Sequence, residues 1–249
     1  MKKKAEQEKF QLYRRPRDRA QTTLSDKNKK LSMIFKNFLS PESNCIDIGA
    51  NIGMVTILMS QLCHNGKILS IEPDETNFSL LKHNLEINKI TNVVTKKYGV
   101  SDKNGKYFLY GNKRNGGDTR LSKLPQKNGK KPSEEVEVFT LDHIVKDWDV
   151  NFDIVKIDTQ GMDFQCMLGA SDFLQNNPNC SFVIEFVKSM PNMEPLHKPY
   201  RPYDFCAFLF DKFDSIYNID QSMYMSYKQL KKFAKQGTGE IDLWCRNDK

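Results

Sequence analysis

The sequence predicts an α/β fold: a doubly wound, mainly parallel seven-stranded sheet with an inserted hairpin after the third strand. Three observations carry this reading. Short apolar runs alternate with segments of helical period, and a glycine-containing turn stands at the first strand-to-helix junction. Two later runs, Phe152 to Ile157 and Ser181 to Val187, are apolar enough to be strands covered on both faces.

The fold begins near Leu31, where Ile34, Phe35, Phe38 and Leu39 recur at helical spacing until Pro41 closes the segment. Cys45 to Ile48 is a strand, Gly49 to Gly53 a turn, and Met54 to Cys63 a helix with Val55, Leu58, Met59 and Leu62 on one face. The next cycle has a strand at Lys67 to Ile71, the turn Glu72-Pro73-Asp74, and a helix carrying Phe78, Leu81 and Leu85. Asn92 to Val100 supplies a third strand. Between Asp102 and Thr140 the alternation breaks, and Tyr107 to Tyr110 with Val136 to Phe139 form the expected hairpin. After the two central strands come a helix at Asp204 to Phe213 and strands at Ser215 to Ile219 and Ile241 to Cys245, the last of them antiparallel, with a polar stretch between.

The chain has 249 residues, 39% hydrophobic and 28% charged, which suits one globular core. Its net charge of +7 is local. Residues 1–30 hold eleven Lys and Arg against four Asp and Glu, leaving 27 of each sign elsewhere. We therefore read 1–30 as a basic polar tail and 31–249 as the domain. No apolar run approaches the roughly 18 residues of a membrane span, and no secretory segment opens the sequence. The six cysteines are scattered without a CxxC pair, as reduced core thiols are, so a cytoplasmic location is expected and neither a disulfide framework nor a zinc site; no metal is assigned.

The sharpest motif is Asp47-Ile48-Gly49-Ala50-Asn51-Ile52-Gly53. A dinucleotide fingerprint needs glycines at 49, 51 and 54, but 51 is Asn and 54 is Met; no Gly-Lys-Ser/Thr of a phosphate loop follows either. A ligand with a carboxylate and a ribose fits better, since backbone N–H groups at a helix start hold the carboxylate and an acid after the next strand holds the diol. Glu72, nineteen residues beyond Gly53, is that acid. Asp47 as a buried hydrogen-bonded acid, and Glu72 or Asp74 as a helix cap, are the structural alternatives.

These blocks, together with Asn84 and Asn88, Val100-Ser101-Asp102, Val155-Lys156-Ile157-Asp158-Thr159-Gln160-Gly161 and Leu168-Gly169-Ala170, resemble the FkbM family of class I S-adenosylmethionine-dependent methyltransferases over about 44–187. The fourth-strand block departs from the commoner form, with Gln160 and Asp163 where many members carry Glu. The resemblance implies a Rossmann-like methyltransferase fold, S-adenosyl-L-methionine as cofactor, and O-methylation of a hydroxyl, often on a sugar. By the same resemblance Gly49, Ala50, Asn51 and Gly53 line the methionine end of the site, Glu72 holds the ribose, Ser101 and Asp102 lie by the adenine, and Asp47 counts among the cofactor-binding residues. Ser101 and Asp102 also suit an ordinary turn.

For the reaction, a positioned base is needed beside the first turn, at the carboxyl ends of the central strands. Asp158 and Glu185 are the candidate acids, with Lys156 on the face of Asp158 as a tuning charge. Asp158 as a turn cap and Glu185 paired with Lys188 are the alternatives. The histidines at 64, 83, 143 and 197 are weaker candidates for a base. The expected acceptor is a sugar or glycan. An RNA ribose 2′-hydroxyl is the rival acceptor, a catalytically inactive binding protein the rival of another class, and N-methylation is disfavoured because no Asn/Asp-Pro-Pro-Tyr/Phe follows the fourth strand.

Overall fold

The computed structural model describes residues 10–13, 26–110, 119–122, 131–188, 201–235 and 239–247. Helix α1 (Asp26–Phe38) precedes β1 (Cys45–Ile48), α2 (Met54–Leu62), β2 (Ile68–Ile71), α3 (Glu75–Ile87) and β3 (Val93–Lys96). A second group follows: β4 (Gly99–Val100), β5 (Gly105–Tyr110), β6 (Arg120–Ser122), β7 (Glu134–Phe139) and α4 (Leu141–Val145). The chain continues through β8 (Ile154–Ile157), α5 (Asp163–Leu168), α6 (Ser171–Asn176), β9 (Ser181–Val187) and α7 (Pro202–Lys212). It closes with β10 (Ser215–Asn218), β11 (Met223–Tyr224), α8 (Tyr227–Lys235) and β12 (Glu240–Arg246).

Among the described residues the main sheet has eight strands in the order β11-β10-β12-β9-β8-β1-β2-β3. Seven are those expected, and β1 is central, parallel to β2 and β8. The eighth is the two-residue β11, a short antiparallel partner of β10 at the edge. Every residue of β1, β2 and β8 is buried, as strands sandwiched between helix layers must be. Strand β12 runs antiparallel between β9 and β10, as expected of the last strand.

The expected third strand at 92–100 is in fact two. Strand β3 stays at the edge of the main sheet, while β4 leaves it and pairs parallel with β7 in a separate four-stranded sheet of order β4-β7-β5-β6. Gly99 permits the departure, because a Cβ there would lie 2.7 Å from Leu121 Cδ1 and 2.8 Å from Val138 Cγ2. The expected hairpin is present as β5 and β7, which pair antiparallel with Tyr107 opposite Val136. Strand β6 extends it, and Tyr107, Leu109, Leu121, Val136, Val138 and Met162 form the small core beneath it.

Helix α1 starts at Asp26 rather than near Leu31, and burial of Leu31 and Phe35 against β1, α2 and β2 explains its place. The polar stretch before the last strand contains α8, whose Leu230 and Ala234 are buried beside α7. Of the basic segment 1–30, residues 10–13 lie on α3, with Phe10 and Leu12 against Leu81 and Leu85. None of the helices among the described residues is long and apolar enough to cross a membrane.

Candidate functional site

The carboxyl ends of β1, β2, β8 and β9 surround a cavity of about 330 Å³. Parallel strands make such a site by themselves, because the loops leaving adjacent central strands diverge there. Gly49, Ala50, Asn51 and Glu72 line it, as do Lys156, Asp158 and Glu185. Seven of the residues singled out from the sequence therefore meet in one place.

The first turn owes its sequence to two close approaches. Gly49 has φ 77°, and a Cβ there would come within 2.0 Å of the Asp158 carbonyl oxygen, so the turn packs directly on the end of β8. Gly53 has φ 92° and stands at the start of α2, where a Cβ would lie 2.6 Å from Leu81 Cδ1. Gly53 does not line the cavity; its demand comes from the turn and from packing on α3 rather than from a ligand. Asn51 is left-handed at φ 52°, a conformation Asn tolerates.

Asp47 is fully buried beneath this turn rather than in the cavity wall. Its Oδ2 accepts a 2.6 Å hydrogen bond from Thr56 Oγ1, and its Oδ1 lies 3.4 Å from Lys156 Nζ. Among the described residues that Oδ1 has no hydrogen-bond partner, and the ion pair with Lys156 compensates its burial. Ser101 and Asp102 also stand outside the cavity. Ser101 Oγ donates to Asp102 Oδ1 at 3.1 Å, the local pairing of a turn, and the wall beside them is made by Tyr98, Gly99 and Val100.

Glu72 is 4% exposed and faces the first turn. Its Oε2 accepts the Asn51 N–H at 2.8 Å and its Oε1 the Asp74 N–H at 2.9 Å. Burial raises its pKa to about 7, although the two N–H groups oppose the rise. The helix cap is Asp74, whose Oδ1 accepts the Asn77 N–H at 2.9 Å, so Glu72 is left to the cavity.

At the other wall Lys156 Nζ lies 3.5 Å from Asp158 Oδ2 and donates to the Gly49 carbonyl at 3.3 Å. Burial alone would depress its pKa, but the charges of Asp158, Asp47, Asp242 and Glu185 outweigh it and hold the ammonium protonated. The charges of four carboxylates thus act together on Lys156. Lys156 acts as a strut between β1 and β8, positioning the first turn and Asp158 together.

Gln160 is the residue that sequence reasoning undervalued. Its φ of 55° turns the side chain back over the strand ends, where Nε2 donates to Asp158 Oδ1 at 3.2 Å and to Glu185 Oε2 at 3.3 Å. Asp163 holds that turn, accepting the Thr159 N–H at 2.9 Å and the Gly161 N–H at 3.0 Å. Burial raises the pKa of Asp163 to about 7, partly offset by the Thr159 N–H and augmented by the charge of Asp158. Asn77, Tyr98, Thr119, Leu121 and Glu240 complete the walls from elements that no motif marks. His64, His83 and His143 do not line the cavity; His143 stacks on Phe139 and His83 meets the edge of Tyr13. Residue 197 lies outside the described residues.

The donor set fits S-adenosylmethionine. Glu72 would accept from a ribose diol, Ile71, Pro73, Val100 and Leu121 would give apolar surface to an adenine, and Asp158 and Glu185 would stand by the cationic methionine end. Structural comparison agrees at the level of fold. A protein of Clostridium thermocellum provisionally described as an rRNA methylase aligns over 91% of this chain and 100% of its own, with 9% identity and a TM-score of 0.52. A Klebsiella pneumoniae protein provisionally described as an O-methyltransferase aligns over 91% and 83%, with 11% identity and a TM-score of 0.51. A search of curated proteins returned no match. The methyltransferase FkbM domain model matches residues 47–216, from the buried acid of β1 into β10. The chain therefore belongs to the FkbM methyltransferase family, with S-adenosylmethionine as its cofactor.

Proposed function

We propose that this chain is an O-methyltransferase acting on a sugar or glycan hydroxyl, with Asp158 as the base. The observation that carries the reading is the pair of acids at the cavity wall, Asp158 and Glu185, bridged by the Gln160 amide. A hydroxyl attacks as its proton leaves, and a positioned carboxylate typically contributes about 10²- to 10⁴-fold. Asp158 is the more accessible acid, its side chain 31% exposed, whereas Glu185 is 2% exposed. Glu185 and Gln160 fix the carboxylate of Asp158 and offer acceptors and a donor to neighbouring hydroxyls, the pattern a polyol requires.

When bound, S-adenosylmethionine supplies an electrophilic methyl carbon, whose transfer to oxygen returns the carbon–sulfur electron pair to sulfur. Glu72 and the first turn fix the donor's place, and Lys156 holds the Asp158 carboxylate in position beside the turn. The proton from the acceptor passes to Asp158 and then to water. The sugar acceptor is supported by the family's usual chemistry and by this hydrogen-bonding wall. A cytoplasmic setting is supported by six free, buried cysteines. The test is kinetic: on a glycan acceptor, Asp158→Asn is expected to lower kcat by about 10²-fold or more with cofactor affinity nearly unchanged. A normal kcat in both Asp158→Asn and Glu185→Gln would remove acid–base catalysis from the proposal.

A further inference from the structure

Within the charged run at the amino end, Phe10-Gln11-Leu12-Tyr13 interrupts with alternating apolar side chains, and the structure gives this segment a seat on α3. Asn84 closes a two-bond ring on Tyr13: its Oδ1 accepts the Tyr13 N–H at 2.7 Å and its Nδ2 donates to the Tyr13 carbonyl at 3.1 Å. Asn88 repeats the ring on Gln11, with Oδ1 accepting the N–H at 3.0 Å and Nδ2 donating to the carbonyl at 2.8 Å. The spacing explains the match. Four helical residues advance about 6 Å, and two residues of extended chain about 6.6 Å, so two asparagines one turn apart meet alternate peptide units. All four bonds go to backbone atoms; the side chains of Phe10 and Leu12 point into the groove beside Ala50, Ile57, Leu81 and Leu85.

Asn84 is fully buried, and its Nδ2 makes one more bond, 2.8 Å to the carbonyl of Ile52. Ile52 belongs to the first turn, whose inner side, at Ala50, Asn51 and Ile52, forms the cofactor wall. One amide group therefore joins the amino-terminal segment outside to the cofactor turn inside. We propose that residues 10–13 are a strap whose docking sets the turn for S-adenosylmethionine, and that Asn84 is the positioning residue that transmits it. Without the strap, the Asn84 amide loses two of its three partners and is free to rotate away from Ile52. The turn then gains alternative conformations that ligand binding must suppress, which lowers affinity without touching the reacting acids. The inference rests on the cavity being the cofactor site.

The full-length chain tests it through its own backbone. Proline at 11 and 13 removes the two donated N–H groups, leaves Asn84 and Asn88 intact, and suits an extended segment. Alanine at the same two positions removes the side chains and keeps the N–H groups. By calorimetry with S-adenosylhomocysteine, the double variant Gln11→Pro with Tyr13→Pro is expected to bind about tenfold more weakly, within the usual range for coupling between sites. Gln11→Ala with Tyr13→Ala is expected to stay within about twofold of the parent, and Asn88→Ala to fall between the two. At saturating cofactor, kcat of the proline pair is expected to match the parent, so that the defect appears in KM for cofactor alone. Parent-like affinity in the proline pair would overturn the strap, as would an equal loss in the alanine pair, since the contacts would then lie in the side chains. Failure of the parent itself to bind would instead overturn the cofactor site on which the strap depends.

Discussion

Replacing Glu72 by Gln keeps size and shape and removes the negative charge that the cavity is built around. In the parent, both carboxylate oxygens already accept backbone N–H groups, at 2.8 Å from Asn51 and 2.9 Å from Asp74. A glutamine must turn its NH₂ toward one of those donors, so one buried N–H loses its acceptor. It also loses the charge that strengthens bonds from a ribose diol, worth about 1.5–3 kcal/mol for each hydrogen bond to a charged group. Taking about 2–3 kcal/mol overall gives an affinity loss of about 30- to 150-fold for S-adenosylhomocysteine. The pH profile separates this cause from a general loosening. With its pKa raised to about 7, Glu72 is ionised in about one tenth of molecules at pH 6 and about nine tenths at pH 8. Parent affinity is therefore expected to rise about tenfold across that interval, and the Gln variant to lack that rise. Calorimetry at steps from pH 6 to pH 8.5, on both proteins, makes the comparison. Parallel pH profiles, or a Gln variant within about threefold of the parent at pH 8, would refute the assignment of Glu72 to the ribose.

The same group and Asp163, both raised to about 7, govern stability in the ligand-free protein. Their contribution is fully present below the unfolded-state values near 4, and is lost as pH rises through about 7, so urea midpoints are expected to fall between pH 5 and pH 8. Flat midpoints would contradict it. Lys156→Met takes the ammonium away from the fully buried Asp47 Oδ1 and is expected to cost about 3–5 kcal/mol of folding stability, read by the same denaturation. Gly49→Ala places a Cβ 2.0 Å from the Asp158 carbonyl in a left-handed residue, so a loss of at least about 2 kcal/mol is expected, with weaker cofactor binding in whatever remains folded. An unchanged midpoint in either variant would show that the turn and β8 are less tightly joined than the geometry requires.

The legibility of this fold followed burial. Cys45 to Ile48 and Phe152 to Ile157 announce themselves because a strand covered on both faces has no choice but to be apolar throughout. The partition of 92–100 between two sheets was not legible, because it turns on Gly99 meeting Leu121 and Val138, side chains distant in sequence. Helix α8 does carry a helical period, with Leu230, Phe233 and Ala234 turned to the core, but Lys228, Lys231, Lys232 and Lys235 between them give it the composition of a polar stretch. In the site, Glu72 and the two acids could be placed by their position at strand ends. Gln160 could not, since its reach to Asp158 and Glu185 depends on a left-handed φ set by Asp163 and Gly161. Gly49 and Gly53 were found for the right motif, but the structure supplies a different reason: protein packs against them.

The most direct test of the account is transfer itself. The protein is incubated with methyl-labelled S-adenosylmethionine and, separately, with glycans, small hydroxyl compounds and RNA, and the labelled product is analysed by nuclear magnetic resonance. The account predicts label on an oxygen of a sugar acceptor, abolished or greatly reduced in Asp158→Asn. Label appearing on nitrogen, or on RNA alone with Asp158→Asn fully active, would contradict it.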